Sequence, residues 1–331
     1  MPEGDTLYRV ARTLHKALAG HVVRRFDSAY VTLLRIDEEA PIVGRTVERV
    51  EARGKWCLIW LSARDPGPAP PAQPVQPARP LARPLDGRLA LCTHLRMNGM
   101  WHIYRAGRPA LPGSGGAPVP DEAWKRPRGD MRVLLATDTF VAVGFRVPVA
   151  ELLTEAELGR HGELSQLGPD LLAESFDEAE ALRRMRRPGL HTGAPRELGD
   201  VLLDQGSVAG LGNVYKSELC FLVGVNPFTP VCAVPDEVLK KILQLGQRLL
   251  RENVYYQRDP ASEVVTRSGM RRTTSAMDPQ KRLWVYGRDG QPCRRCAAPI
   301  RQHRQGQGAR VTFFCPRCQP LPAPAARVSP S

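Results

Sequence analysis

The sequence predicts a multidomain α+β chain: a leading helix, a strand-rich region, a helical region and a four-cysteine hairpin at the end. Three observations carry this. Apolar residues recur at helical spacing over 6–19. Short runs rich in Val, Ile, Leu and Trp, broken by Gly, Pro and Asp, then fill 22–150. Cys293-x2-Cys296 and Cys315-x2-Cys318 close the ordered part, with 18 residues between the pairs.

In the first segment Leu7, Val10, Ala11, Leu14, Ala17 and Leu18 share a face, and Arg9, Arg12 and Lys16 fall outside it. Asp5 or Thr6 is expected to cap the start and Gly20 to end the helix. The positive end of the helix then lies beside the start of the chain, where its field lowers an ammonium pKa.

The next region reads as strands over 46–52, 56–61, 88–93, 99–104, 131–137 and 140–144. Two inserts interrupt them. Residues 65–86 are dense in Pro and Ala, and 106–129 are rich in Gly, Pro and basic residues. Neither can build a core, so both read as flexible surface loops. Helical periodicity returns over 151–260. The Pro/Ala-rich tail after Gln319 reads as disordered.

The two Cys-x2-Cys pairs predict a closed tetrahedral zinc site on two knuckles, with Cys293, Cys296, Cys315 and Cys318 as ligands. A closed four-thiolate site leaves no open coordination position, so one structural zinc is expected and no catalytic cofactor. Residues 310–314 between the pairs alternate like a hairpin strand. Cys57, Cys92, Cys220 and Cys232 stand singly in apolar stretches and read as buried small hydrophobes.

The 331 residues carry a formal net charge of +13, and 42% are hydrophobic. Such an excess argues for a polyanionic partner, nucleic acid first. No apolar run approaches the roughly 20 residues of a membrane span, and no secretory signal is visible. A cytoplasmic, nucleoid-associated monomer is therefore expected.

Two features bear on chemistry. If Met1 is removed, Pro2 carries a secondary amine with an unperturbed pKa of about 8, directly beside the Glu3 carboxylate. A nucleophilic amine next to an acid/base suits Schiff-base chemistry at a sugar C1′. An iminium formed by a secondary amine cannot lose an N–H proton, which makes it a strong electron sink. The plain alternative is a common Met-Pro start with a solvated glutamate. The second feature is Gly210-Leu211-Gly212-Asn213, which breaks one apolar helical stretch and starts another. Glycines before a helix start let backbone N–H groups approach a phosphate, with Asn213 placed to cap or contact it. An ordinary helical corner fits the same residues.

These pieces resemble one family, the Fpg/Nei DNA glycosylases. Pro2-Glu3-Gly4 is similar to its nucleophile segment. Arg53-Gly54-Lys55, followed by Trp56-Cys57-Leu58, is similar to its catalytic-lysine hairpin. His94-Leu95-Arg96-Met97-Asn98-Gly99 resembles the loop that probes the duplex, and Leu167-Gly168-Pro169-Asp170-Leu171 resembles the opening of the helical domain. Leu203-Asp204-Gln205 through Glu218 resembles the helix–two-turn–helix, and Tyr286 through Gln319 the zinc finger.

The resemblance implies an N-terminal catalytic β-sandwich over 1–150, a helix–two-turn–helix domain over 151–265, a zinc finger over 266–319 and a tail over 320–331. It implies damaged DNA as partner and a bifunctional glycosylase/AP lyase of base-excision repair. Pro2 would be the nucleophile and Glu3 the acid/base. Lys55 would position phosphate and assist elimination, and Arg310 would promote the second elimination. His94, Asn213 and Arg310 would hold phosphates, and Arg96 belongs to the same DNA-probing loop. Met97 would wedge into the duplex, where the plain reading is a core methionine.

Gly4 after Pro2-Glu3 resembles the endonuclease VIII (Nei) branch, which implies oxidised pyrimidines as favoured substrates. The Asp-x-Arg-Arg-Phe-Gly stretch of the Fpg branch is absent from 138–146. The Met97 loop is nearer the Fpg branch, and Thr6 stands where both branches carry Glu, so the chain is similar to a divergent second Nei type. An Fpg-type oxidised-purine (8-oxoguanine) glycosylase and a non-catalytic damaged-DNA-binding protein are the alternatives.

Overall fold

The computed structural model describes residues 2–64, 87–106, 124–188, 195–255, 271–276 and 278–321. The flexible-loop readings for 65–86 and for 107–123, and the tail from 322 onward, fall outside the described residues. The chain divides into two compact units. The first contains Pro2 and Thr6–Ser165. The second contains Glu3–Asp5, Gln166–Arg258 and Gly269–Ser331.

Helix α1 (Gly4–Leu18) opens the chain. Leu7, Val10, Leu14 and Leu18 are buried along one stripe, as their spacing requires. It starts two residues before the expected position, so Asp5 and Thr6 lie inside the first turn and neither is the flanking cap residue. Gly20 follows with φ +81°, a left-handed conformation that suits glycine at a helix end.

Two four-stranded antiparallel sheets follow. One has the order β2 (Val47–Arg53), β3 (Trp56–Leu61), β4 (Leu89–His94), β8 (Val149–Thr154). The other has the order β1 (Arg25–Ser28), β6 (Met131–Ala136), β7 (Phe140–Phe145), β5 (Met100–Arg105). Cys57, Ile59, Leu91 and Leu152 of the first sheet share one core with Trp101, Val133, Leu135 and Ala142 of the second and with the apolar stripe of α1. Two inner faces over a common core make the sandwich. The six expected strands are all present. β1, β8 and the helix α2 (Val31–Glu39) are additional. A second cluster, with Tyr104, Val143 and Phe145 buried, covers the opposite face of the second sheet.

The second unit is built on α4 (Glu178–Met185), α5 (Leu198–Leu203), α6 (Asn213–Val223) and α7 (Asp236–Tyr255); the short α3 (Glu155–Arg160) stays with the first unit. Between α5 and α6 the chain makes two turns, tied by side chains. Asp204 Oδ1 accepts the Gly206 N–H at 2.9 Å. Gln205 Nε2 donates to Leu203 and Leu211 carbonyls at 2.9 and 3.0 Å, and its Oε1 accepts the Gly210 N–H. The hairpin β9 (Arg301–Gln305) and β10 (Arg310–Phe314) closes the unit. Its Phe313 packs with Phe221 of α6, Val285 and Ile300. Cys57, Cys92 and Cys220 are buried as expected. Cys232 is exposed, because in its short helical turn Val231 takes the inward position instead.

Candidate functional site

The functional side chains fall into a group on each unit. On the first unit the strands β2 and β3 are joined by a tight turn in which Gly54 takes φ +56°. That turn presents Lys55, which is half-buried. The next residue, Trp56, pairs across the sheet with His94 at the end of β4. Their rings meet edge to face at 5.1 Å. The sandwich register thus brings Lys55 and His94 together.

His94 Nδ1 accepts the Arg96 backbone N–H at 3.0 Å, which leaves Nε2 to carry the proton and donate outward. Burial, then the nearby Arg96 and Lys55 charges, pull the His94 pKa down to about 4. The imidazole is a neutral donor at pH 7. Beyond it, Leu95 is buried and Gly99 closes the loop, its N–H donating to the Leu95 carbonyl at 2.8 Å. A Cβ at Gly99 would lie 2.7 Å from that carbonyl. This tight turn pushes Arg96, Met97 and Asn98 outward. Arg96 adopts φ +46° and pairs with Glu163 at 3.5 Å.

Met97 is 59% exposed, so it is no core methionine. Over 138–146, by contrast, the residues Val141–Phe145 are buried in β7. Arg146 at its end is left-handed and paired with Asp130 at 2.8 Å.

The second group centres on Glu3. Pro2 is buried and immediately precedes it. Glu3 is fully buried, and its carboxylate accepts the Val214 N–H at 3.0 Å and the Tyr215 N–H at 3.5 Å. These are free N–H groups in the first turn of α6, whose partial positive charge favours a carboxylate. Gly212 before α6 thus leaves room for Glu3, and Gly4 lies close against Gly210. A Cβ on Gly212 would lie 2.4 Å from Glu3 Cδ, and one on Gly4 would lie 2.8 Å from Gly210 Cα. The Gly4 N–H donates to the Gly210 carbonyl at 2.8 Å.

Gly212, not Asn213, is the flanking cap residue of α6. Asn213 Oδ1 is unpartnered among the described residues, so no described group holds its amide at that atom. Arg310 is exposed at the start of β10, opposite Gln305.

Lys216, Arg271 and the ion-pairing role of Asp5 escaped the sequence reading. Lys216, fully buried on α6, donates to Thr312 Oγ1 of the hairpin at 2.5 Å. Burial lowers its pKa to about 8, with Arg310 pushing the same way and Asp200 and Glu3 opposing. Glu3 and Arg310 thus each act electrostatically on Lys216. Asp5 and Arg271 form a buried ion pair, with Nε to Oδ2 at 2.7 Å. A lysine three residues into a helix gives no sequence signal of burial, and nothing local links positions 5 and 271.

The four cysteines expected to bind metal converge. Their Sγ atoms all lie within 4.8 Å of one another, with Cys293–Cys318 at 3.9 Å and Cys296–Cys315 at 3.5 Å. Tetrahedral zinc with Zn–S bonds near 2.3 Å requires S–S separations of about 3.8 Å, so the donors fit. The Ala298 N–H leads in lowering Cys296 to about 7, while burial and the neighbouring thiols push Cys318 up. Four thiolates this close need a cation between them.

Among the described residues no helix is long and apolar enough to cross a membrane.

Comparison with known proteins agrees with this architecture. Residues 1–145 match the Formamidopyrimidine-DNA glycosylase N-terminal domain, and residues 167–263 the Formamidopyrimidine-DNA glycosylase H2TH domain. Residues 290–321 match the zinc finger found in FPG and IleRS. The chain is 38% identical to "Probable endonuclease 8 2" of Streptomyces coelicolor over 98% of this chain and 96% of that protein. It is 30% identical to "DNA-(apurinic or apyrimidinic site) lyase Nei2" of Mycolicibacterium smegmatis over 96% of this chain and 99% of that one. In fold it resembles the protein of a complex between the Lactococcus lactis Fpg and an abasic site containing DNA. The TM-score there is 0.68 and the identity 20%, over 96% of this chain and all of that one. A sandwich with an N-terminal helix, a two-turn helical corner receiving Glu3 and a four-cysteine hairpin thus occur together with full-length likeness to endonuclease 8 proteins, and the chain belongs to the Fpg/Nei family, on its second endonuclease VIII branch.

Proposed function

We propose that this protein is a bifunctional DNA glycosylase/AP lyase of base-excision repair, working on oxidised bases with pyrimidines favoured. The observation that carries the reading is the Glu3 carboxylate, fully buried and held by the first-turn N–H groups of α6, in the residue after Pro2. Once Met1 is removed, a glutamate kept from solvent next to the Pro2 amine is placed for proton transfer.

The target nucleotide must leave the stack before its glycosidic bond is accessible. Met97 fills the gap, and the neutral Nε2–H of His94 and the Asn213 amide bind phosphates, with Arg96 beside them on the duplex. The Pro2 nitrogen attacks C1′, and the base departs with its bonding electrons and a proton. Glu3 protonates the ring oxygen as the sugar opens, leaving an iminium between Pro2 and C1′. Loss of a C2′ proton expels the 3′-phosphate, assisted by Lys55. A second elimination, promoted by Arg310, expels the 5′-phosphate, so a one-nucleotide gap remains with phosphates at both ends. Hydrolysis then frees Pro2. The zinc holds the hairpin that carries Arg310. We place the protein on the bacterial nucleoid, in the cytoplasm, as a monomer.

The test is borohydride trapping on duplexes holding an abasic site, thymine glycol, dihydrouracil, or 8-oxoguanine opposite cytosine. Wild type should trap on the abasic and pyrimidine substrates, and Pro2→Ala on none. Trapping chiefly on 8-oxoguanine would move the substrate to oxidised purines. Binding without trapping on any duplex would leave a damaged-DNA-binding protein. Undiminished trapping by a form retaining Met1 would overturn the Pro2 assignment.

A further inference from the structure

Arg271 sits in the second unit, 6% exposed, against two fully buried carboxylates. Its Nε and one terminal nitrogen donate to the two oxygens of Asp5, each at 2.7 Å. The other terminal nitrogen lies 3.7 Å from Glu3 Oε1. The Tyr215 hydroxyl donates to Asp5 Oδ2 at 3.2 Å, and the Tyr215 ring lies 5.5 Å from the guanidinium carbon. Asp5 thus grips the guanidinium in a two-point fork, which fixes its plane.

We propose that Arg271 is a positioning residue for Glu3, clamped by Asp5 so that the carboxylate is held between a fixed guanidinium and the Val214 N–H. This rests on the lyase reading above. Stability alone does not account for the arrangement, since a buried ion pair is often no more stabilising than apolar residues of the same volume. What the fork supplies is direction. Without it, among the described residues, the Glu3 side chain keeps the two backbone N–H contacts. The charge of Arg271 is secure in this setting, because Glu3 and Asp5 raise its pKa beyond the usual arginine range, outweighing burial.

The test uses the zinc-loaded full chain with Met1 removed. Single-turnover cleavage of an abasic-site duplex is measured beside the Kd for a duplex bearing an unreactive tetrahydrofuran site. Arg271→Lys keeps one charge and loses the fork. It should slow cleavage about 10- to 100-fold, the scale of a small misplacement of a reacting group, and leave Kd unchanged within about threefold. In a Glu3→Gln background, followed by trapping over long times, the same change should add no further loss. A wild-type rate in Arg271→Lys overturns the assignment, as does an equal slowing without Glu3 or a Kd that weakens in step with the rate. Should Arg271→Lys release zinc or lose its cooperative melt, Asp5→Asn takes its place. That variant loosens the same clamp, and a wild-type rate there overturns the assignment as well. Inactivity of the wild type would instead count against the lyase reading itself.

Discussion

The Glu3 carboxylate receives the Val214 backbone N–H at 3.0 Å, across 211 positions of sequence. It takes the place that an Asn, Asp or Ser side chain fills at the start of most helices. The proposed acid/base and the helix that would help hold DNA are therefore one mechanical object. Their closeness depends on Gly212, whose missing side chain leaves space for Glu3.

Gly212→Ala should consequently act on chemistry more than on the backbone. Gly212 has φ −137°, which any residue adopts. The added Cβ would stand 2.4 Å from Glu3 Cδ, so the carboxylate must leave its place. We expect single-turnover lyase activity to fall by about 100-fold or more, the cost of displacing a reacting group by an ångström. The far-UV spectrum should be unchanged. Wild-type activity in this variant would show that Glu3 does not need the α6 amides.

Much of this fold was legible because burial imposes short-range periods. Leu7, Val10 and Leu14 mark α1, and Trp56 through Leu61, buried at every position, mark a central strand. The cysteine spacing gave the hairpin. Helix α2 was not legible, since among its nine residues only Leu33 is buried and no side chain caps its start. β1 has four residues, too few for a period. At the site, Pro2, Glu3 and Lys55 stand out in sequence. The Asp5–Arg271 pair and the buried Lys216 do not, because each is decided by a partner far along the chain.

The imidazoles predict a pH dependence. His102 is 3% exposed, its Nε2 is unpartnered among the described residues, and burial lowers its pKa to about 4. His94 is lowered to about 4 as well. Between pH 6.5 and 4 the unfolded chain binds protons that the fold refuses, so stability is complete above 6.5 and is lost as pH falls through that window. The slope for a buried group is at most about 1.4 kcal/mol per pH unit, and the partly exposed His94 contributes less. Urea melts of wild type and His102→Gln from pH 7 to 4.5 check this, and the variant should be less acid-sensitive. DNA affinity should show no histidine step between pH 6 and 8, because His94 donates as a neutral ring. Binding that tightens toward pH 6 and loses this dependence in His94→Gln would contradict it.

Removing zinc should dismantle the hairpin and spare the sandwich. The cysteines support a small cluster of Phe221, Val285, Ile300 and Phe313, which is too small to hold a hairpin alone. None of these residues belongs to the sandwich core. Chelation should abolish cleavage, because Arg310 and Thr312 lose their strand. The cooperative melt of the sandwich should persist. Full activity after complete zinc removal, verified by metal analysis, would separate Arg310 from the chemistry.

Lys216 gives the least intuitive expectation. Its pKa, lowered to about 8 from an ordinary 10.5, means that the fold holds an ammonium in a poor environment at neutral pH. Between pH 8 and 10.5 the unfolded chain binds the proton more readily, so stability should rise with pH across that window. Below 8 the penalty is constant, on the order of 3 kcal/mol. Lys216→Met keeps the volume and removes the charge. Thr312 keeps its bond to Gln305 Oε1 at 2.8 Å, so the loss is confined to one hydrogen bond. The variant should be more stable than wild type at pH 7, with the difference closing toward pH 10. A chain tolerating this cost at a position that acts electrostatically on Glu3 and Arg310 is expected to use the charge. Lys216→Met should therefore gain stability and lose cleavage rate together. A variant equally active at pH 7 would make the buried ammonium a packing accident, and a destabilised one would mean that the Thr312 bond outweighs the burial of the charge.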